Sequence, residues 1–285
     1  MTLENNYICQ IDSAKEIQNI ANNQNMDYSN SVVDLCGNTP RLPCLVDLGP
    51  TLESAVQVEA LPDSGTSGSI ISEDFARKIG VRILQTSTKM RGPTGAVEKF
   101  AGQAIIFVKV QKVTVKKLSV LVHTNTQIEL LIGYQDLITL RVLAANFPNQ
   151  VTSKDAPLMP HPNGDPRKPP LLTCNLKFPA KDQTVKNRWA FATVEALPDS
   201  GCSGITCISK DFAIRCGIKV SPTSIVSSGS KVSGQALISV KIKDQPTEIQ
   251  RKVVVANITE DMLLSWSDLI SLGVLAPDFP TPTPE

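Results

Sequence analysis

The sequence reads as an all-β chain built from two similar domains in tandem, and three observations lead there. An octapeptide occurs twice, as Val58-Glu59-Ala60-Leu61-Pro62-Asp63-Ser64-Gly65 and Val194-Glu195-Ala196-Leu197-Pro198-Asp199-Ser200-Gly201. The segments downstream of each copy correspond in the same order. Short β-branched runs bounded by turn residues fill most of what lies between. A period above a hundred residues marks a duplicated domain and not a stack of short repeats.

The first domain begins near Arg41-Leu42-Pro43-Cys44-Leu45-Val46. Val56, Val58 and Ala60 then alternate with Gln57, Glu59 and Leu61, which predicts a strand ending at Pro62. Gly65 is placed to let the backbone reverse just beyond Asp63. Ser72 is positioned as the N-cap of a short helix. Glu73 and Asp74 fill its first turn, Phe75, Ala76 and Ile79 form its apolar face, and Gly80 stops it. Strand-like runs follow at Ile105–Val110, Val113–Val115 and Leu118–Val122, after a turn-rich hairpin tip at Met90–Ala96.

The second domain repeats this plan. Ser72–Gly80 corresponds to Ser209–Gly217, Gly102-Gln103-Ala104 to Gly234-Gln235-Ala236, and Leu130–Ile138 to Met262–Ile270. Ala144-Ala145-Asn146-Phe147-Pro148 and Ala276-Pro277-Asp278-Phe279-Pro280 close the two units. The second copy gains one residue beside the Asp-Ser-Gly turn and loses five around Arg91 to Phe100. The resulting division is a mobile leader at 1–40, repeat 1 at 41–148, a Pro-rich linker at 149–168 and repeat 2 at 169–281.

Composition narrows the functional classes. A net charge of +1 offers no electrostatic footprint for nucleic acid or a membrane surface. No run of 18 apolar residues occurs that could span a bilayer, and the acidic, polar start does not resemble a signal peptide. The seven cysteines are odd in number and contain no Cys-x-x-Cys pair, and there are only two histidines. That pattern predicts reduced thiols in a cytoplasmic protein and argues against a metal site.

A hydrophobic strand, Asp-Ser-Gly, a Ser four residues beyond the Gly, a Gly-bearing hairpin, and then Leu131-Ile132-Gly133-Tyr134-Gln135-Asp136-Leu137 resembles the retroviral-type aspartic proteases, the retropepsins, in a retrotransposon-like form. The resemblance covers most of both repeats. It departs from the family pattern at Thr66, where Ala is commoner. It implies two retropepsin-like β-barrels, each with one or two short helices, packed as an intramolecular pseudo-dimer or paired between chains as a homodimer.

The resemblance also implies the chemistry. Asp63 and Asp199 are the expected catalytic pair, sharing one proton across a water because two like charges so close cannot both ionise cheaply. Ser64, Gly65, Thr66, Ser69, Ser200, Gly201 and Gly133 would support the active-site loops. Gly92, Gly95 and Gly229 would belong to two flaps over a peptide or polyprotein substrate.

Repeat 2 departs further. Counting from the insertion puts Ile205 where repeat 1 has Ser69, Ser265 replaces Gly133, and the flap is shorter. Repeat 1 has Arg141 where repeat 2 has Gly273. An asymmetric endopeptidase is the main reading, and a catalytically inactive binding or assembly module of the same fold is the alternative.

Overall fold

The computed structural model describes residues 39–92, 95–124, 126, 128–148, 169–179, 189–202, 204–223 and 232–283. The expected leader up to residue 38, the linker at 149–168 and Gly229 lie outside the described residues.

Each repeat closes a six-stranded barrel. In repeat 1 the strands are β1 (Leu42–Asp47), β2 (Val56–Asp63), β3 (Ser69–Ser72), β6 (Phe100–Val110), β7 (Lys116–His123) and β8 (Leu130–Gly133). Between β3 and β6 come helix α1 (Glu73–Lys78) and the small hairpin β4 (Met90–Arg91) and β5 (Val97–Glu98), and helix α2 (Tyr134–Thr139) follows β8. Around the barrel the order is β1-β2-β8-β3-β7-β6.

Repeat 2 contains β9 (Leu172–Pro179), β10 (Trp189–Asp199), β11 (Cys207–Ser209), α3 (Lys210–Arg215), β12 (Val232–Ile242), β13 (Glu248–Ala256), β14 (Met262–Ser265) and α4 (Trp266–Ser271). Its order, β10-β14-β11-β13-β12-β9, is the same circuit strand for strand. The chain is therefore mostly β, with two closed barrels and a few short helices. Among the described residues no helix is long and apolar enough to cross a membrane.

The alternation of the sequence builds these barrels directly. β6 buries every second residue, with Ala104, Ile106, Val108 and Val110 inside. The first short helix forms where its cap is written: Ser72 accepts the N–H of Phe75, and Gly80 ends the helix at φ +73°. Repeat 2 copies this with Ser209, Phe212 and Gly217. At the end of α2, Arg141 occupies the left-handed conformation that Gly273 takes after α4.

Two sequence expectations change. Val113–Val115 is not a strand but part of the turn between β6 and β7, where Val113 N–H donates to Val110 O and Val113 is buried as an apolar plug. β2 continues one residue past Pro62, so Asp63 ends the strand, in parallel register with Gly133 of β8.

Most of the buried apolar side chains of both barrels join into one cluster, which includes Leu143 and Phe147 from repeat 1 and Leu275 and Phe279 from repeat 2. The C-terminal segment crosses to the other repeat as well, since Thr283 N–H donates to Arg141 O. Leu137 and Leu269 sit at equivalent, fully buried positions in α2 and α4. Truncation of either to Ala is expected to destabilise the protein by about 2–5 kcal/mol through cavity formation, measured by denaturant unfolding.

Candidate functional site

The two Asp-Ser-Gly turns meet inside the chain. Ser64 N–H donates to Ser200 Oγ (2.9 Å), and Ser200 N–H donates to Ser64 Oγ (3.0 Å). Each hydroxyl then donates across to the other repeat, Ser64 Oγ to Pro198 O (2.8 Å) and Ser200 Oγ to Pro62 O (2.9 Å). Both serines are fully buried. Four reciprocal hydrogen bonds thus clamp the two loops, with every hydroxyl and every serine N–H used.

Asp63 and Asp199 lie immediately before these serines and are buried to 0% and 1% exposure. Each carboxylate is cradled by its own turn. Gly65 N–H donates to Asp63 Oδ1, and the N–H groups of Gly201 and Cys202 donate to Asp199 Oδ1. Asp63 Oδ2 is buried with no hydrogen-bond donor facing it among the described residues. The Thr66 hydroxyl beside this turn is likewise buried and unpartnered.

The role expected for the two glycines changes. Neither Gly65 nor Gly201 has a left-handed backbone. What each position demands is the absence of a side chain. A Cβ on Gly65 would lie 2.8 Å from Asp199 Cγ, and one on Gly201 would lie 2.7 Å from Asp63 Cγ. Each glycine therefore presses against the opposite repeat's carboxyl group, and any larger residue would push the two loops apart.

The electrostatics follow from this burial. Asp63 is pushed well above the ordinary carboxylate range, first by desolvation and then by the charge of Asp199, against the pull of the Gly65 N–H. Asp199 is raised to about 6 by burial, offset by hydrogen bonds from Asp63 and from the N–H groups of Cys202 and Gly201. Both shifts favour a state in which the pair shares a proton at pH values where isolated carboxyls would be ionised.

A supporting layer sits behind each loop. In repeat 1, Ser69 Oγ donates to Asp136 of α2 and accepts the N–H of Gly133 (3.0 Å). Burial raises the Asp136 carboxyl, and the Ser69 hydroxyl opposes that rise. In repeat 2 the corresponding residue is Thr206, and not Ile205 as counting from the insertion suggests. Thr206 Oγ1 donates to Asp268 of α4 and accepts the N–H of Ser265 (3.2 Å). The extra residue is absorbed before Thr206, and Ile205 packs beside an apolar cluster containing Leu197, Cys207 and Leu263.

The lengthened loop also accounts for Ser265. A Cβ on Gly133 would fall 2.6 Å from the backbone carbon of Gly68, so repeat 1 has no room for serine. In repeat 2 the Ser265 hydroxyl is instead bonded to Thr206 and Ser267, and Ser267 Oγ donates to Gly204 O.

The β4–β5 hairpin is closed by Gly92 N–H to Ala96 O and by Gly95 N–H to Gly92 O. At its base, Glu98 pairs with His123 (3.2 Å). A Cβ on Gly95 would lie 3.2 Å from Thr259 of repeat 2, so this hairpin of repeat 1 reaches the second repeat. Cys44, Cys174, Cys202, Cys207 and Cys216 are free thiols. Sequence reasoning overlooked Thr206 as a loop support, and it also overlooked Arg251, whose Nε donates to Asp268.

Residues 50–135, most of repeat 1, match a family model described as aspartyl protease. No curated protein matches the chain. Among solved structures, the retroviral protease-like domain of Ddi1 from Leishmania major is 20% identical. That alignment covers 36% of this chain and 76% of that one, with a TM-score of 0.26. The EIAV protease complexed with the inhibitor HBY-793 is 15% identical over 39% of this chain and 91% of that one, with a TM-score of 0.29.

Two outcomes are expected. Gly133→Ser should destabilise repeat 1 by about 1–3 kcal/mol through overpacking, whereas Ser265→Gly should cost less than half of that in repeat 2, by thermal or denaturant unfolding. The dyad also sets a pH dependence. Because both folded carboxyls lie above their ordinary value of 3.8, their contribution to stability is fully present below that value. It is lost as pH rises through about 6 and beyond. Asp63→Asn should therefore gain stability over the native chain as pH is raised from 4 to 8.

Proposed function

We propose that the chain is an aspartic endopeptidase in which Asp63 and Asp199 jointly activate a water for attack on a peptide carbonyl. The observation that carries this reading is the clamp of four serine hydrogen bonds that holds two buried aspartate turns together. In this reading the ionised carboxyl removes a proton from the water while its protonated partner polarises the scissile carbonyl. Neither a covalent intermediate nor a cofactor takes part in this route.

Both carboxylates come from one polypeptide, so the proposed active unit is a single chain acting as a pseudo-dimer, and a homodimer is the competing arrangement. The hairpin bearing Gly92 and Gly95 is proposed as a flap that closes over an extended peptide, its tip bearing on repeat 2. The match to an aspartyl protease family model supports the reaction class. A retroelement polyprotein is the proposed substrate and the cytoplasm the proposed compartment, the latter in keeping with five free thiols among the described residues.

The inactive binding module draws its motive from Ser265 and the lengthened loop of repeat 2. The hydrogen bonds that accommodate both departures favour the enzyme instead.

Peptide cleavage by the purified chain decides between them. Asp63→Asn and Asp199→Asn should each lower kcat by about a thousandfold with the fold intact. Cleavage should rise on the acid side as Asp199 ionises near 6, and decline at higher pH as Asp63 surrenders the shared proton. Undiminished cleavage in either variant would remove the endopeptidase reading.

A further inference from the structure

We infer that Arg251, on β13 and outside the dyad loops, is a positioning residue that holds the Asp199 arm of the site in register. This rests on the endopeptidase reading for its functional consequence, but its structural part can be measured without turnover.

The two repeats differ at one strand position behind the site. Strand registers equate Arg251 with Leu118, since Ile238 faces Arg251 and the equivalent Ile106 faces Leu118. Leu118 is buried and offers Asp136 no charge. Arg251 instead extends its guanidinium to α4. Its Nε donates to Asp268 Oδ1, Nη2 to Ser271 Oγ (3.1 Å) and Nη1 to Gln250 O (3.0 Å). The Asp268 side chain is 5% exposed and that of Arg251 38%, so the pair lies at the edge of the interior.

From there the bonds lead inward. Asp268 Oδ2 accepts the Thr206 hydroxyl, and Thr206 accepts the N–H of Ser265. Ser265 ends β14 in register with Asp199 at the end of β10. A second branch returns from Ser271 Oγ to Ser267 O, and Ser267 Oγ reaches Gly204 O in the lengthened loop. Both branches converge on the segment between Asp199 and Thr206.

Repeat 1 needs no such brace, because its loop is one residue shorter and Gly133 packs directly on Gly68. Repeat 2 has lost that close packing to Ser265 and gained a longer loop. A guanidinium fixed between Asp268, Ser271 and Gln250 O supplies the lost restraint, and a buried carboxylate left without it would move toward water.

The test uses the full chain carrying Arg251→Leu, which installs the repeat 1 residue, and Arg251→Leu combined with Asp268→Asn. Two readouts are taken: kcat and KM on a peptide that the native chain cleaves, and the carboxyl carbon titration of Asp199 by NMR. The single variant should lower kcat by about tenfold with KM within about twofold. Its Asp199 titration should move upward, because the N–H groups of Cys202 and Gly201 that hold the ionised form drift away. The double variant keeps an acceptor for Thr206 without an unpaired charge, and should recover most of the loss in both readouts.

Unchanged kcat and unchanged Asp199 titration in folded Arg251→Leu would overturn the inference, even if thermal stability falls. Failure of the double variant to recover either readout would overturn it too. If the native chain cleaves no peptide, the endopeptidase reading fails, while the Asp199 titration still decides the role of Arg251. Should Arg251→Leu not fold, the same comparison is made with Arg251→Lys, which is expected to retain one of the three contacts and to show a smaller upward shift.

Discussion

The structure depends on a reciprocal lock between two serines. Ser64 and Ser200 each donate and accept across the interface of the repeats, and both are fully buried there. Breaking one such bond leaves an unsatisfied partner at a cost of about 1–3 kcal/mol. The lock therefore fixes where Asp63 and Asp199 lie relative to each other, and it also excludes side chains at Gly65 and Gly201. Two closed barrels thus meet at one site across these four hydrogen bonds.

That site is held against its own electrostatics. Burying two carboxyl groups in contact raises both above their ordinary value of 3.8, so the folded state keeps a proton above the pH at which the unfolded chain releases it. That penalty is offset elsewhere, here by barrel cores most of whose buried apolar residues join into one cluster. The backbone N–H groups of Gly65, Gly201 and Cys202 moderate the penalty by solvating the carboxylates from within.

Much of this was legible in the sequence because it was written twice. The octapeptide, the Ser72 and Ser209 helix caps and the alternating strands are local patterns, and local patterns survive in one dimension. Thr206 was not legible, since counting from an insertion cannot say which residue bulges out. Only the hydroxyl's bonds to Asp268 and Ser265 N–H identify it. Gly65 was read as a turn residue because sequence shows a glycine but not the carboxyl that presses on it from 134 positions away (Asp199). Arg251 gave no signal, because an arginine on a half-exposed strand is ordinarily solvated and its carboxylate partner lies 17 residues on, in another element.

The central claim is that one chain completes the site by itself. Calorimetric titration with a transition-state mimic that carries a hydroxyl in place of the scissile carbonyl, run at a concentration where sedimentation reports the mass of one chain, tests this directly. One inhibitor should bind per chain. One inhibitor per two chains, or no binding by a folded monomer, would contradict it.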